Sequence, residues 1–296
     1  LLPFFRDGYG DSSSNDMNDT ASSLSALIVG CRQCSSIISF SAGINYTTKL
    51  MKYPLHAWRM KWLPDDWKPK VVAVDIDGTL TNENKLIEPT VIDALQRLED
   101  AGIPVILATG NVRAITYGLW RFLNLSGPIC CENGGVLWHP DWGETNYRAD
   151  GSEAKAAAQW LATKIEGLNW EGIETNQWRE SEWCLAPDED LAKITQLINE
   201  SKWSHLSVVR TGFAIHLMEP QLSKGSGLKI ILDRMGLQAA DLLCVGDAPN
   251  DLSMFEIARW SVAVGGAFAY VSQSADVASP FAHGKTIAPL VDAILS

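Results

Sequence analysis

Asp75 and Asp77 stand two residues apart in VVAVDIDGTLT, residues 71–81. Four apolar residues lead into them, so both carboxylates arrive at the end of what reads as a buried strand. Asp247 and Asp251 follow a second apolar run in DLLCVGDAPND, and Thr109, Gly110 and Asn111 close a third, IPVILATGN. Lys224 stands where a helical segment begins, just ahead of the run that ends in Asp247. Unpaired carboxylates are costly to bury. Two of them ~4 Å apart repel by about 4 kcal/mol at an effective dielectric of 20. Four acids gathered at strand ends therefore call for a cation.

Oxygen-only ligands suit a hard ion, and Mg²⁺ typically takes one or two carboxylates together with waters and a substrate phosphate. Asp75 and Asp247 are the expected direct ligands. Asp77 would add its backbone carbonyl, and Asp251 an oxygen either at the ion or one step behind it. A carboxylate can also act as a nucleophile, splitting a difficult phosphoryl displacement into two easier ones. With Asp75 attacking phosphorus, Asp77 is spaced to serve first as general acid and then as base, and Gly78 lets the chain turn so that both converge. Thr109 would donate to a phosphate oxygen and Lys224 would neutralise charge on the transferring group. Gly110, Asn111 and Asn250 complete the candidate phosphate-binding set, although both asparagines could instead cap helices. Asn250 could also orient the carboxylates.

The surrounding pattern positions these groups. Strand-like apolar runs alternate with helical stripes from residue 70 onward, as in KVVAVDID, EPTVIDALQRLEDAG and IPVILATG. Pro89 suits a first helical turn and Gly102 a helix stop. Such alternation predicts an α/β core, a doubly wound parallel sheet covered on both faces, with ligands beyond the carboxyl ends of its strands. Residues 147–222 break the rhythm. Two amphipathic helices and three alternating strands, ESEWCLAP, LSVVRTG and FAIHLME, predict a small α+β unit inserted into the core, which itself comprises residues 60–146 and 223–296. Within the insert, His216, Arg179 and Arg210 are candidates for substrate contact, set against packing or surface roles. Trp160, Trp170, Trp178, Trp183 and Trp203 are expected mostly to pack the insert.

Residues 1–59 read differently. Their Ser- and Gly-rich stretch DGYGDSSSNDMNDTASS has no periodicity, and Met60 looks like a natural start. They are expected to lie outside the folded unit, or to form a short regulatory or targeting arm. Cys31 and Cys34 make an isolated CxxC without two further ligands nearby, so reduced thiols in a cytoplasm are the expectation.

The segments DIDGTLT, ATGN, the lysine of LSKGSG, and GDAPNDLSMF resemble, in order, the four motifs of the haloacid dehalogenase-like phosphatases. The insert and ENGG at residues 132–135 resemble the α/β-capped subclass, and the compact cap resembles its archaeal phosphoglycolate phosphatase and sucrose-phosphatase branch. The likeness spans about residues 70–296. It implies a Rossmann-like core with a mobile cap, a Mg²⁺-dependent phosphomonoesterase, and Asp75 as nucleophile. It also implies 2-phosphoglycolate as substrate, with a sugar phosphate, or a phosphomutase reaction, as the alternative. The net charge of −11 disfavours nucleic acid and anionic membranes as partners. The expected partner is a small phosphorylated metabolite. Oligomeric state is left open, with a homodimer as the candidate assembly.

Overall fold

The computed structural model describes residues 60–296. The expectations for residues 1–59, including the Cys31–Cys34 pair, lie outside the described residues. The chain enters the core with β1 (Val71–Val74), α1 (Pro89–Asp100), β2 (Val105–Ala108), α2 (Arg113–Phe122) and β3 (Ile129–Cys131). Two short strands follow, β4 (Val136–Trp138) and β5 (Asn146–Tyr147). Next come α3 (Ser152–Ala162), β6 (Glu182–Leu185), α4 (Leu191–Asn199), β7 (Ser207–Arg210) and β8 (Ile215–Met218). The chain then returns through α5 (Lys224–Met235), β9 (Leu242–Gly246), α6 (Leu252–Phe255) and β10 (Trp260–Gly265). It closes with α7 (Ala269–Ser274), β11 (Val277–Ala282) and α8 (Ile287–Leu295).

Eight strands form one sheet in the order β11-β10-β9-β1-β2-β3-β4-β5. Pairing is parallel from β11 through β3 and antiparallel where β4 and β5 extend the edge. The parallel strands are apolar on both faces because both are covered. Val72 and Val74 of β1 join the core under α1 and α8, while Val71 and Ala73 join the opposite core under α5 and α6. α1 begins on Pro89, and Gly102 follows its end in the left-handed region, as the sequence predicts. The two-residue β5, and β11 with Pro280 in its midst, carry too little periodicity to be legible beforehand.

β6, β8 and β7 form a separate antiparallel sheet with its own core, in which Ala157, Leu161, Ile194, Ile198 and Leu217 are fully buried. This cap interrupts the core between β5 and α5. Strand order reverses where β1 neighbours β9, and the loops after the two strands meet there beside a crevice. Among the described residues, no helix is long and apolar enough to cross a membrane.

Candidate active site

The crevice at the β1–β9 boundary brings the predicted acids together. Asp75 follows β1, and its backbone N–H donates to Val245 of β9 at 3.0 Å, which ties the two strand ends. Lys224, the first residue of α5, is wholly buried; its Nζ donates to Asp75 Oδ1 and Asp251 Oδ1, both at 2.5 Å. The other oxygen of Asp251 accepts from the backbone N–H groups of Asp247 and Ala248 at 2.8 Å each. Asp251 thus folds the loop after β9 back on itself. Asp247 is held from the other side, its Oδ1 accepting from Thr79 Oγ1 at 2.8 Å.

Close backbone approach makes this convergence possible. A Cβ on Gly225, one residue into α5, would lie 2.0 Å from the Ser253 carbonyl, so only glycine lets the helix bearing Lys224 approach the β9 loop this closely. Gly78 sits at φ +88°, and a Cβ there would meet Asp247 Oδ2 at 2.6 Å. The turn after Asp77 therefore uses glycine both for its conformation and for room beside a carboxylate.

Asp75, Asp247 and Asp251 each offer an oxygen within 4.8 Å of the others. Burial drives the Asp75 carboxyl well above its ordinary range, against the pull of Lys224. Burial, aided by Asp251, lifts Asp247 to about 6. Burial alone would depress Lys224, yet Asp251 and Asp75 outweigh it and hold the ammonium charged. One ammonium against three carboxylates leaves negative charge uncompensated, and the donors are all oxygen. That is the environment a hard divalent cation fits. Asp251 already accepts three hydrogen bonds, which leaves Asp75 and Asp247 as the carboxylates of the trio that could face a cation.

Asp77 lies apart from this trio. Its Oδ2 accepts from Asn111 Nδ2 at 3.2 Å, so Asn111 positions Asp77. Thr109 is fully buried, and its Oγ1 accepts from the Asn111 N–H at 3.0 Å, which leaves the hydroxyl proton to donate. Gly110 presents its carbonyl to Arg179 at 3.0 Å. Asn250 Nδ2 donates to Asn133 Oδ1 at 2.9 Å, while its own Oδ1 is buried without a protein partner.

The cap is latched to the core by a second buried polar network. Glu132 and Asn133 both adopt left-handed backbone, with φ of 50° and 52°. The Glu132 carboxylate accepts from the backbone of Glu180 and Ser181 and from Ser181 Oγ, across the cap boundary. Burial raises Glu132 to about 7 in spite of Arg179 and these donors. Asn133 Nδ2 donates to Glu182 Oε2 at 3.1 Å. Glu182 also pairs with Arg179 and, at 3.0 Å, with His216. Burial opposes its charge, but His216 and Arg179 prevail and hold the carboxyl below its ordinary range. Glu182, Cys184 and His216 also offer atoms within 4.8 Å of one another. Here Arg179 supplies the positive charge, and the arrangement reads as a buried hydrogen-bonded network in which Arg179 Nε lacks a protein partner.

The cap candidates accordingly have other duties. Arg179 and His216 are committed to the latch, His216 reaching Thr211 Oγ1 at 3.1 Å through its second nitrogen. Arg210 donates to the Glu189 carbonyl beside α4 and lines an acidic concavity of about 900 Å³ on the cap. That concavity contains none of the clustered core acids. The cleft that does is smaller, about 180 Å³, walled by Asp75, Asp77, Asp247 and Asn250 and faced by Thr211–Phe213, the turn between β7 and β8. Of the cap tryptophans, Trp183 and Trp203 are buried in the cap core and Trp178 is half exposed.

Several site residues escape sequence reading. Thr79 could have been found, since a hydroxyl two positions after Asp77 falls on the same turn. Glu182 and His283 could not, because only tertiary folding delivers them. His283, at φ 51°, borders the cleft and its Nδ1–H donates to the Gly78 carbonyl at 2.7 Å.

Comparison with known proteins accords with this geometry. Residues 72–183 and 184–289 match the family model described as haloacid dehalogenase-like hydrolase. A phosphoglycolate phosphatase of Archaeoglobus fulgidus is 33% identical over 223 residues, covering 75% of this chain and 95% of the relative. One from Methanothermobacter thermautotrophicus is 34% identical over 223 residues, covering 75% and 97%. Among solved structures, a Thermoplasma acidophilum protein superposes with a TM-score of 0.70 at 24% identity, covering 77% of this chain and 99% of its own. A haloacid dehalogenase-like hydrolase from Bacteroides thetaiotaomicron gives 0.64 at 21% identity, covering 77% and 100%.

Proposed function

This chain belongs to the haloacid dehalogenase-like hydrolases, and from that premise we propose that it is a Mg²⁺-dependent phosphomonoesterase that acts on 2-phosphoglycolate. The observation that carries the reading is the convergence of Asp75, Asp247 and Asp251 around Lys224 at the β1–β9 crevice, with Asp77 alongside. Asp75, Asp247 and the Asp77 carbonyl would hold the ion, with Asp251 behind, and the ion when bound supplies positive charge beside the phosphoryl oxygens.

The residues divide the chemistry. Lys224 keeps Asp75 oriented and opposes the effect of burial on its charge. An Asp75 oxygen attacks phosphorus, and the bond from phosphorus to the ester oxygen breaks. The departing alkoxide takes the proton that Asp77 carries, and Asn111 fixes the acid that delivers it. Asp77, now a carboxylate, takes a proton from water as that water attacks phosphorus. The Asp75–phosphorus bond then breaks and inorganic phosphate leaves. Thr109 and Lys224 donate toward the phosphoryl oxygens.

A cleft of about 180 Å³ supports a two-carbon acid phosphate as substrate, since it falls below the ~300–1,000 Å³ usual for larger ligands. The names of the archaeal relatives point the same way. We place the reaction in the cytoplasm, where Cys130, Cys131, Cys184 and Cys244, all buried and free, remain thiols. Phosphate release from 2-phosphoglycolate, measured with Mg²⁺ and then with a chelator, tests the proposal. Turnover that requires the metal and vanishes in Asp75→Asn supports it. No phosphate release with Mg²⁺ present overturns it.

A further inference from the structure

Within the phosphatase reading, the wall of the cleft includes a lysine that the chemistry above does not use. The segment between β1 and α1 forms a tight hairpin, closed by a bridge between Thr81 and Ile87. Asn82 builds its tip, its side-chain oxygen accepting from the N–H groups of Asn84 and Leu86 at 2.9 and 3.1 Å, and its carbonyl accepting from the Lys85 N–H at 2.9 Å. Lys85 sits in this frame at φ 58°. A left-handed conformation costs a residue with a Cβ roughly 1–2 kcal/mol, and only Gly, Asn and Asp adopt it readily. A lysine there is a local compromise, and such compromises gather where a side chain has work to do.

Lys85 borders the same cleft as Asp75, Asp77 and Asp247. Among the described residues it is the only lysine or arginine on the cleft wall, and its ammonium makes no ion pair. Glu83, also on the wall, does not engage it. Lys224, beneath, is paired with Asp75 and Asp251 at the phosphoryl end of the site, and the cap arginines Arg179 and Arg210 are committed elsewhere. A wall with this many carboxylates repels an anionic substrate unless a cation faces the end remote from phosphorus.

We propose that Lys85 is the specificity-determining residue of this site, pairing with a carboxylate that the substrate carries one or two carbons from its phosphate. The hairpin frame holds the Lys85 backbone, and Thr211–Phe213, the turn between β7 and β8, lines the same cleft. The pairing selects phosphorylated carboxylic acids over neutral phosphate esters of equal size. It requires no further reactant, because Lys85 forms no covalent bond and moves no proton.

The test compares kcat/KM for 2-phosphoglycolate and for 2-hydroxyethyl phosphate, matched in size but lacking the carboxylate, at physiological ionic strength with saturating Mg²⁺. Lys85→Gln retains the backbone demand and most of the length while removing the charge. The selectivity ratio is expected to fall about tenfold or more, through KM for the acid, because a charge-assisted contact is lost from both ground and transition states. Lys85→Arg should retain the wild-type ratio, and Lys85→Glu should lower it further. An unchanged ratio in Lys85→Gln and Lys85→Glu, with wild type active on both esters, overturns the Lys85 assignment and leaves the phosphatase reading standing. A wild type that releases phosphate from neither ester overturns both.

Discussion

Replacing Gly78 with alanine separates the arrangement of the site from the stability of the fold. The added Cβ would lie 2.6 Å from Asp247 Oδ2, 3.0 Å from its Cγ and 3.1 Å from its Oδ1, where ordinary contact begins at 3.4 Å. The backbone cannot swing away, since its N–H donates to Thr81 Oγ1 at 3.0 Å and its carbonyl accepts from His283 at 2.7 Å. The carboxylate must therefore move, against the Thr79 hydroxyl that anchors it at 2.8 Å. The φ of +88° adds roughly 1–2 kcal/mol of strain for alanine. In a domain of this size that lowers Tm by roughly 2–8 °C. Displacing a metal-facing carboxylate weakens metal affinity by about 10–100-fold, and a misplacement of ~1 Å at reacting groups costs about 100-fold in rate. Mn²⁺ binding followed by electron paramagnetic resonance, alongside Mg²⁺-dependent phosphate release and a thermal melt, measures all three. Gly78→Ala should remain folded while its metal affinity and turnover collapse. Wild-type metal affinity accompanied by the expected drop in Tm would refute the link between this glycine and Asp247.

Three further outcomes follow from the buried charges. Lys224→Met removes the partner of both Asp75 and Asp251 and should destabilise the protein by about 3–5 kcal/mol in urea unfolding at pH 8. The loss should shrink at pH 5, where the orphaned carboxyls take up protons; a variant as stable as wild type at pH 8 would contradict the pairing. Glu132 binds its proton up to about pH 7 in the folded protein against an ordinary value of 4.5. The folded state thus holds more protons than the unfolded one between those values, and stability falls as pH rises through the window, by about 3 kcal/mol from this group. Glu132→Gln should flatten that part of the Tm–pH curve, and an unchanged slope would dispose of the assignment. Asn133→Ala severs the joint between Glu182 and Asn250 and should cost about 1–3 kcal/mol by stranding buried polar groups. Hydrogen exchange should rise along β6 and β8, and protection equal to wild type there would argue against a latch.

Legibility from sequence tracked the distance over which each feature is determined. Asp75, Asp77, Asp247 and Asp251 could be read because each cluster follows its own apolar strand, and the parallel fold delivers strand ends to a common edge. Lys224 was readable for the same reason, at the head of a helix that enters that edge. The partners that complete these groups were not. Asn133 meets Asn250 across 117 residues and His283 reaches Gly78 across 205, distances over which no periodicity speaks. Arg179 and Arg210 looked available for substrate because a surface arginine and one buried against a glutamate read alike in a sequence. Lys85 was passed over because a lysine in a polar turn is ordinarily solvated, and its left-handed backbone is invisible without coordinates.

The account stands or falls on whether Asp75 becomes esterified to phosphorus during turnover. Rapid acid quenching with 2-phosphoglycolate and Mg²⁺, followed by borohydride reduction and peptide mapping, reads this directly, because an acyl phosphate is reduced to an alcohol and a free carboxylate is not. Homoserine at position 75 is predicted, and its absence when Asp75→Asn is treated identically. Full turnover with an unreduced Asp75, or with homoserine at position 77 or 247 instead, would contradict the account.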